Sequence, residues 1–230
     1  MNQSSKGNMK HPRIEISKQI KELWPPVAIG ALFAHVEVMQ SPRKLIEELH
    51  MLAQELPKSM KVEEISGLSS IQQGRKAYKA FGKAPARYRL SSEALLRRTL
   101  KGQGMYFVNN IVEINNLVSM ETGLPICAFD LDQVGSKVIF RLGRKGENYY
   151  GIGRGLLNIE NLPVFADSEG AFGSPTSDSE RVKIAERTKK LNMNLVSFQG
   201  TNNLDNYLIR LSGLLRTYAH AREITTRVIE

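Results

Sequence analysis

Hydrophobic residues recur three or four positions apart through most of the first half of the chain, a spacing typical of amphipathic helices. Prolines and turn residues divide this half into successive helical stretches. The predicted helices cover residues 17–23, 42–56, 62–81, 91–101 and 109–122. Two segments lack the helical spacing and predict strands instead, a short one at residues 13–16 and a buried one at residues 27–38.

In the second half, short apolar runs separated by glycine turns predict strands. These runs cover residues 126–129, 138–142, 149–153, 163–166 and 195–198. A last helix is predicted over residues 204–220, where Leu208, Leu211 and Leu215 share one face. Because helices come mostly first and strands mostly later, rather than in alternation, the pattern indicates an α+β fold.

Residues 170–181 lie between two predicted strands and are rich in glycine and hydroxyl side chains. Ser177 and Glu180 have the spacing of a capping box, which predicts a helix that starts here and runs to about Lys190. The exposed N–H groups and the positive dipole end of such a helix suit an anionic group. No histidine or lysine is placed to activate a serine, so the loop favours recognition or water positioning over covalent catalysis.

The composition narrows the class of protein. A single cysteine, Cys127, among 230 residues excludes an internal disulfide bond and fits a reducing compartment. Four scattered histidines offer no paired metal-ligand spacing, so we expect no metal and no other cofactor. The longest apolar run, residues 27–38, is too short and too polar to span a bilayer, and no signal-peptide pattern precedes it. We therefore expect a soluble cytoplasmic protein without membrane contact.

The formal net charge of +9 is concentrated in one segment. Residues 75–101 contain nine lysines and arginines but a single acid, Glu93, and therefore carry +8. Tyr78, Phe81 and Tyr88 lie among these cations. Clustered cations bind a phosphate backbone by releasing its counterions, and interleaved aromatic rings can stack on unpaired bases. The alternative is a solvated basic face whose aromatic side chains point into the core.

Three polar residues interrupt the apolar helix predicted over residues 109–122. Glu113, Asn115 and Asn116 either line a pocket, where buried polar groups need partners, or form the solvated face of the helix. Both interpretations fit the sequence. Cys127 has no histidine close to it in sequence that would lower its pKa, which favours a small buried side chain over a nucleophile.

Four sequence blocks in a fixed order resemble the B3/B4 domain. This domain is the tRNA-editing module in the beta chain of bacterial phenylalanyl-tRNA synthetase, and it also occurs as free-standing proteins. The blocks are YRLSSEALLRR at residues 88–98, IVEINNL at 111–117, TGLPICAFDLD at 122–132 and GAFGSPTSDSER at 170–181. The resemblance runs from about Tyr88 to Phe198, and residues 14–87 look like the N-terminal extension of the free-standing forms.

The resemblance implies a three-layer B3/B4-type domain of mixed sheets flanked by helices. Together with the polar composition of the first residues and the last predicted helix, it divides the chain into a disordered tail at residues 1–12, an N-terminal α/β extension at 13–87 packed on the core, a B3/B4-like core at 88–200 and a C-terminal helix at 201–230. It also implies a pocket, which in the synthetase hydrolyses the ester of tyrosine wrongly attached to tRNA for phenylalanine. Tyrosine specificity does not carry over. Cys127 stands where the synthetase motif has histidine, and the stretch after Gly173 is not rich in glycine.

The resemblance thus implies a protein whose partner is tRNA and which hydrolyses a mischarged aminoacyl ester in trans. The expected pocket residues are Glu113, Asn115, Asn116, Gly173, Ser174, Thr176, Ser177 and Asp178. The residues expected to contact RNA phosphates are Arg87, Arg89, Arg97, Arg98 and Lys101. No segment resembles the ATP-binding core of the synthetase, so aminoacylation is not expected. The alternatives are an RNA-binding module without catalysis and an amino-acid sensor that uses the same pocket.

Overall fold

The computed structural model describes residues 10–230, so residues 1–9 of the predicted disordered tail lie outside the described residues. Apolar stripes at helical spacing form the helices predicted from them. The α-helices are α1 (Lys18–Leu23), α2 (Arg43–Ser59), α3 (Ser69–Ala80), α4 (Ser91–Leu100), α5 (Asn110–Thr122) and α6 (Leu204–Ala219). The helix predicted over residues 62–81 is split, because a 3-10 turn at Glu64–Gly67 precedes α3. Within residues 10–230, every helix falls short of the length and hydropathy needed to cross a membrane.

The strands complete an α+β fold, as predicted. They are β1 (Arg13–Ile16), β2 (Ala28–His35), β3 (Ile126–Asp130), β4 (Lys137–Leu142), β5 (Asn148–Gly151), β6 (Gly155–Asn158), β7 (Pro163–Asp167), β8 (Gly170–Gly173), β9 (Lys190–Ser197) and β10 (Arg222–Ile229). Seven of them lie where the apolar runs predict strands. The pattern of the sequence does not predict β6, β8 and β10.

Two four-stranded sheets and one hairpin contain these strands. The first sheet has the order β10-β2-β9-β3 and is antiparallel throughout. The second sheet has the order β1-β4-β7-β8, in which β1 runs parallel to β4 and the other pairs are antiparallel. β5 and β6 form the separate hairpin. The region predicted as an N-terminal extension therefore supplies one strand to each large sheet.

The C-terminal region predicted as a helix continues beyond α6 into a strand. α6 ends at His220, which adopts a left-handed conformation with φ 48° and reverses the chain. β10 then pairs with β2 along the edge of the first sheet. α6 packs against β2, where a Cβ on Gly30 would lie 3.4 Å from Leu208, so the small residue permits close contact between helix and sheet.

α5 lies beside α6 and packs against β3. Asn109 caps its first turn by accepting the Val112 N–H at 3.1 Å, and Gly123 ends it with φ 69°, close to the bounds predicted for this helix. The β5–β6 hairpin meets the turn after β8, because the Ile152 N–H donates to the Asp178 carbonyl at 2.9 Å. The turn after β8 is thus held between β3 and the β5–β6 hairpin.

Candidate functional site

The glycine- and hydroxyl-rich segment at residues 170–181 is a strand followed by a tight turn, not the start of a helix. β8 pairs with β7, and a 3-10 turn at Glu180–Val182 follows. The N-cap residue of that turn is Ser179, whose side chain makes no capping hydrogen bond. The Glu180 carboxylate instead lies 3.3 Å from a lysine ammonium three residues later. The predicted capping box and the long helix after it are therefore wrong.

The hydroxyl groups of Ser174 and Thr176 form hydrogen bonds that hold this turn in place. Ser174 Oγ accepts the N–H groups of Thr176 at 3.3 Å and Ser177 at 3.1 Å, and it donates to the Ser177 carbonyl at 2.9 Å. The Tyr149 hydroxyl on β5 donates to the same carbonyl at 2.6 Å. Thr176 Oγ1 lies 3.0 Å from the Tyr78 hydroxyl on α3. Ser174 and Thr176 are both buried, and their hydroxyls serve the turn itself.

Asp178 is the ionisable group of this turn, and its carboxylate is incompletely hydrogen-bonded. Oδ2 accepts the Ala128 N–H of β3 at 3.2 Å. Oδ1 is buried and has no hydrogen-bond partner among residues 10–230. A Cβ on Gly173 would stand 2.9 Å from Oδ1 and would also collide with the Phe129 ring. Because glycine has no Cβ, the Asp178 carboxylate can lie close to the backbone at this position.

Burial raises the pKa of Asp178 to about 7, although hydrogen bonds from Ala128, Cys127 and Ser174 act to lower it. The residue as a whole is partly exposed, but its Oδ1 atom is buried, and the environment of the carboxylate determines the shift. The carboxylate is therefore close to half ionised at neutral pH, where a group can both accept and return a proton. Such a perturbed pKa is typical of functional sites.

The ionisable groups next to Asp178 remain neutral. Burial, and then the charge of Asp178, raises the pKa of the Cys127 thiol well above its ordinary value. Burial also raises the pKa of the Tyr78 and Tyr149 hydroxyls. Because a neutral thiol is a poor nucleophile, Cys127 is better suited to hold Asp178 by a hydrogen bond than to attack a substrate. Its burial confirms the small buried side chain that the sequence favours.

The raised pKa predicts how stability depends on pH. The ordinary value for Asp178 is 3.8 and its folded value is about 7, so the folded protein binds the extra proton between these two pH values. Its contribution to the free energy of unfolding is complete below about pH 4 and is lost as the pH rises to about 7. We expect Asp178→Asn to gain stability relative to the wild type between pH 4 and pH 8. Urea unfolding at both pH values measures this gain, and an unchanged difference would contradict the prediction.

Among the polar residues of α5, Glu113 has partners within the protein. It is fully buried, accepts the Val108 N–H at 2.7 Å and bonds the Ser41 hydroxyl. These contacts fix the end of the loop before α5 to the start of α2, so Glu113 does not belong to a solvated face. Asn115 and Asn116 are half-buried. Asn115 Oδ1 is buried and accepts no hydrogen bond from the described residues.

The basic segment is organised around one buried acid. Glu93 on α4 is fully buried and accepts hydrogen bonds from Arg75 Nη1 at 2.8 Å and Arg97 Nε at 2.9 Å. Arg89 Nε lies 4.0 Å from the same carboxylate. Part of the positive charge of this segment therefore neutralises a buried carboxylate. Arg97 in particular has a partner inside the protein.

The aromatic residues within the basic segment do not form an exposed stacking surface. Tyr78 and Phe81 are buried, which matches the alternative in which the aromatic side chains point into the core. Tyr88 is half-buried, with the Lys83 ammonium 4.4 Å and the Arg87 guanidinium 5.5 Å from its ring centroid. Stacking on bases is therefore excluded for the first two rings.

Two exposed aromatic residues, Tyr106 and Phe107, lie outside the candidates that the sequence pattern provides. They belong to the segment of residues 101–108, here called the 101–108 loop, which joins α4 to α5. The Arg98 guanidinium lies 4.4 Å from the centroid of the Tyr106 ring. Their position could have indicated that they are exposed, because they lie in a glycine-containing loop directly after a cation-rich helix.

The model of the B3/4 domain family matches residues 73–207, which is more than half of the chain. The chain belongs to the B3/4 domain family. The match confirms the family that the four sequence blocks resemble. It includes the cation-rich α4, the 101–108 loop and the turn that carries Asp178.

Proteins related to this B3/4 domain include beta subunits of phenylalanine–tRNA ligase. The subunit from Symbiobacterium thermophilum is 34% identical over 116 residues, which make up 47% of this chain and 12% of that subunit. The subunit from Rhodopirellula baltica is 38% identical over 79 residues, 34% of this chain and 12% of that subunit. An N-terminal fragment of the phenylalanyl-tRNA synthetase beta subunit from Pyrococcus horikoshii aligns over 97% of this chain and 52% of its own, with 12% identity and a TM-score of 0.44. The chain thus spans 12% of the length of the two ligase subunits.

Proposed function

We propose that this B3/4 domain protein binds aminoacyl-tRNA and hydrolyses a mischarged aminoacyl ester in trans. Membership of the B3/4 family and the similarity to subunits of a tRNA ligase support this class of substrate. The observation that carries the chemistry is the buried Asp178 Oδ1, which has no hydrogen-bond partner among residues 10–230, in a carboxyl group whose pKa burial raises to about 7. Burying a carboxylate with unmet hydrogen-bonding capacity is costly to a fold, which favours a role in function.

In the proposed reaction Asp178 acts as a general base. Its Oδ1 accepts a proton from a water molecule while the water oxygen attacks the ester carbonyl carbon. The bond between that carbon and the ribose oxygen then breaks, and protonated Asp178 returns the proton to the ribose oxygen. The products are the free amino acid and uncharged tRNA. Cys127, as a neutral thiol, orients the carboxylate and forms no bond to the substrate.

The eight predicted pocket residues have two different roles in this proposal. Those whose polar atoms are already bonded within the protein support the walls, and they are Glu113, Ser174 and Thr176. Those proposed to face the substrate are Asn115, Asn116, Gly173, Ser177 and Asp178. Among this second set, Asn115 Oδ1 and Asp178 Oδ1 are buried acceptors without partners among the described residues, as expected of atoms that bind substrate or water.

The proposed contacts with tRNA phosphates involve the cations predicted from the sequence. Arg87, Arg89 and Lys101 are exposed, and Arg98 is half-buried. Lys101, which directly follows α4 and is exposed, can release counterions from a phosphate backbone without breaking a buried ion pair. Arg97 is the weakest member of the set, because its guanidinium already bonds Glu93.

The direct test is to incubate the protein with a panel of tRNAs that each carry a wrong amino acid. We expect at least one of them to lose its amino acid faster than a blank reaction without protein. If none does, the enzymatic proposal fails. Two parallel measurements separate the alternatives. Salt-dependent tRNA binding without turnover would indicate an RNA-binding module, and a thermal shift with a free amino acid in the absence of tRNA would indicate a sensor.

A further inference from the structure

A patch of exposed apolar side chains occupies the 101–108 loop and the adjoining surface of α2. Tyr106 is 75% exposed, Val108 63% and Phe107 43%, and Met51 on α2 is 58% exposed. The Phe107 ring centroid lies 5.4 Å from that of His50 on α2, so the loop packs against this helix at the residue next to Met51 in the chain. On an ordinary protein surface, exposed apolar residues are scattered singly. Several of them next to one another therefore indicate a binding surface.

Hydrogen bonds at both ends hold the 101–108 loop in place. Arg98 Nε donates to the Gly104 carbonyl at 2.8 Å, and Arg98 Nη2 donates to the Gln103 carbonyl at 3.0 Å. At the other end, the buried Glu113 accepts the Val108 N–H at 2.7 Å. The two aromatic rings are therefore presented to solvent by a fixed backbone, which lowers the entropy cost of binding a ligand.

Cations and two clefts adjoin the aromatic rings. The Arg98 guanidinium lies against the Tyr106 ring at 4.4 Å. One cleft of about 220 Å³ is lined by Arg89, Ala94, Arg97, Arg98, Lys101 and Gln103. A second cleft of about 290 Å³ is lined by His50, Ala53, Gln54, Thr99, Gly102, Gly104 and Met105. The loop thus contributes residues to a basic cleft and to a second cleft that carries imidazole and amide groups.

We infer that Tyr106 and Phe107, together with the cations of the first cleft, form a platform for the unpaired nucleotides at the 3′ end of tRNA. Proteins bind single-stranded nucleic acid by this combination, in which bases stack on aromatic rings while cations follow the backbone. His50 and Gln54 in the second cleft carry groups that can hydrogen-bond to base edges. The inference rests on the proposed function for the identity of the RNA.

The distribution of charge favours RNA over a protein partner. Residues 91–109 contain one acid, Glu93, which is buried and paired with arginines. On the adjoining α2, Glu47 pairs with Arg43 at 2.7 Å and Glu55 pairs with a lysine at 2.6 Å. The cations of the first cleft therefore have no competing exposed carboxylate from α4 or the loop. A phosphate backbone supplies the negative charge that complements them.

The experiment compares binding of intact tRNA with binding of the same tRNA lacking its unpaired 3′ nucleotides, measured by fluorescence anisotropy. We expect the double variant Tyr106→Ala/Phe107→Ala to bind intact tRNA about 10- to 100-fold more weakly than the wild type, because two stacking surfaces are lost. Its affinity for the truncated tRNA should equal that of the wild type. Lys101→Ala removes a cation of the same platform, so it should weaken binding of the intact tRNA more than that of the truncated tRNA and reduce the slope of log K against log salt for the intact tRNA by about one.

Two controls show that the rings themselves matter. Tyr106→Phe keeps the ring and should bind intact tRNA like the wild type. Tyr150→Ala removes a tyrosine on β5 that is 67% exposed and lies outside the platform, and it should also bind normally. Urea unfolding confirms that each variant is folded before its affinity is interpreted.

The outcomes separate this inference from the proposed function. If the double variant binds intact tRNA like the wild type, or loses affinity equally for both RNAs, the platform is wrong even where ester hydrolysis occurs. If the double variant loses affinity only for the intact tRNA but no mischarged tRNA is hydrolysed, the platform stands and the enzymatic proposal fails. If the wild-type protein binds neither RNA, the platform is overturned, and a protein partner becomes the better explanation of the patch.

Discussion

Replacing Asp178 with asparagine is expected to lower the rate of ester hydrolysis by about 100-fold or more, the usual contribution of a positioned general base. The asparagine amide can still accept the Ala128 N–H, but it cannot take a proton from water. Single-turnover deacylation of the susceptible mischarged tRNA measures the effect. The wild-type rate should rise with pH up to about 7 and then level off, because the carboxylate must be ionised to act as a base. The variant should lack this rise.

Glu169→Gln is the matched control for this variant. Glu169 is a carboxylate near the same strand, but it is exposed and pairs with Arg181 at 3.0 Å rather than with the turn. Its replacement should leave the rate and the pH profile unchanged. If Asp178→Asn keeps nearly all of the activity while remaining folded, Asp178 serves the structure of the turn and the base must be sought elsewhere.

Replacing Glu93 with alanine is expected to lower the free energy of unfolding by about 3 to 5 kcal/mol, the usual cost of removing one partner of a buried ion pair. Arg75 and Arg97 both donate to this carboxylate and are themselves partly buried, so they would be left without their acceptor. Urea unfolding at neutral pH measures the change. Glu55→Ala breaks an exposed pair with Lys58 and should cost less than about 1 kcal/mol.

This second prediction affects how the basic segment should be tested. If Glu93→Ala leaves the free energy of unfolding nearly unchanged, the carboxylate does not organise the cations, and Arg97 again becomes a candidate for contact with RNA. If it is strongly destabilising, a loss of RNA affinity in Arg97→Ala has two explanations, altered packing and a lost phosphate contact. Lys101 is exposed and makes no such buried pair, so Lys101→Ala is the cleaner probe of electrostatic binding.

Several elements were predictable because their signals are local. The cap at Asn109 and the left-handed Gly123 bound α5, and both depend on residues within one helical turn. The strand at residues 13–16 was also predictable, whereas its partner β4 lies more than 100 residues away in the chain. β10 was missed because its residues, REITTRVI, are mostly exposed and do not alternate between apolar and polar positions. Its pairing with β2, almost 200 residues earlier, is a tertiary contact that this pattern does not indicate.

The turn that carries Asp178 shows the limit most clearly. Its sequence has a true capping-box spacing, but β8 pairs with β7, the Ser177 N–H donates to Ser174 Oγ, and the Ser179 N–H donates to the Phe172 carbonyl. Non-local contacts therefore overrode a local preference. The candidate pocket remains a prediction, and the structure adds the environment of Asp178 to it.

The sequence by itself determined the α+β class, most of the elements, the cation-rich segment and the family, because these depend on local spacing, composition and ordered motifs. Tertiary structure alone decided which polar groups are buried. In the sequence, Glu93 is one acid among many cations, and Glu113 fits either a pocket wall or a solvated face, yet both are fully buried and bonded. The shifted pKa of Asp178 and the exposure of Tyr106 likewise arise from packing, since burial depends on what distant segments of the chain bring into contact.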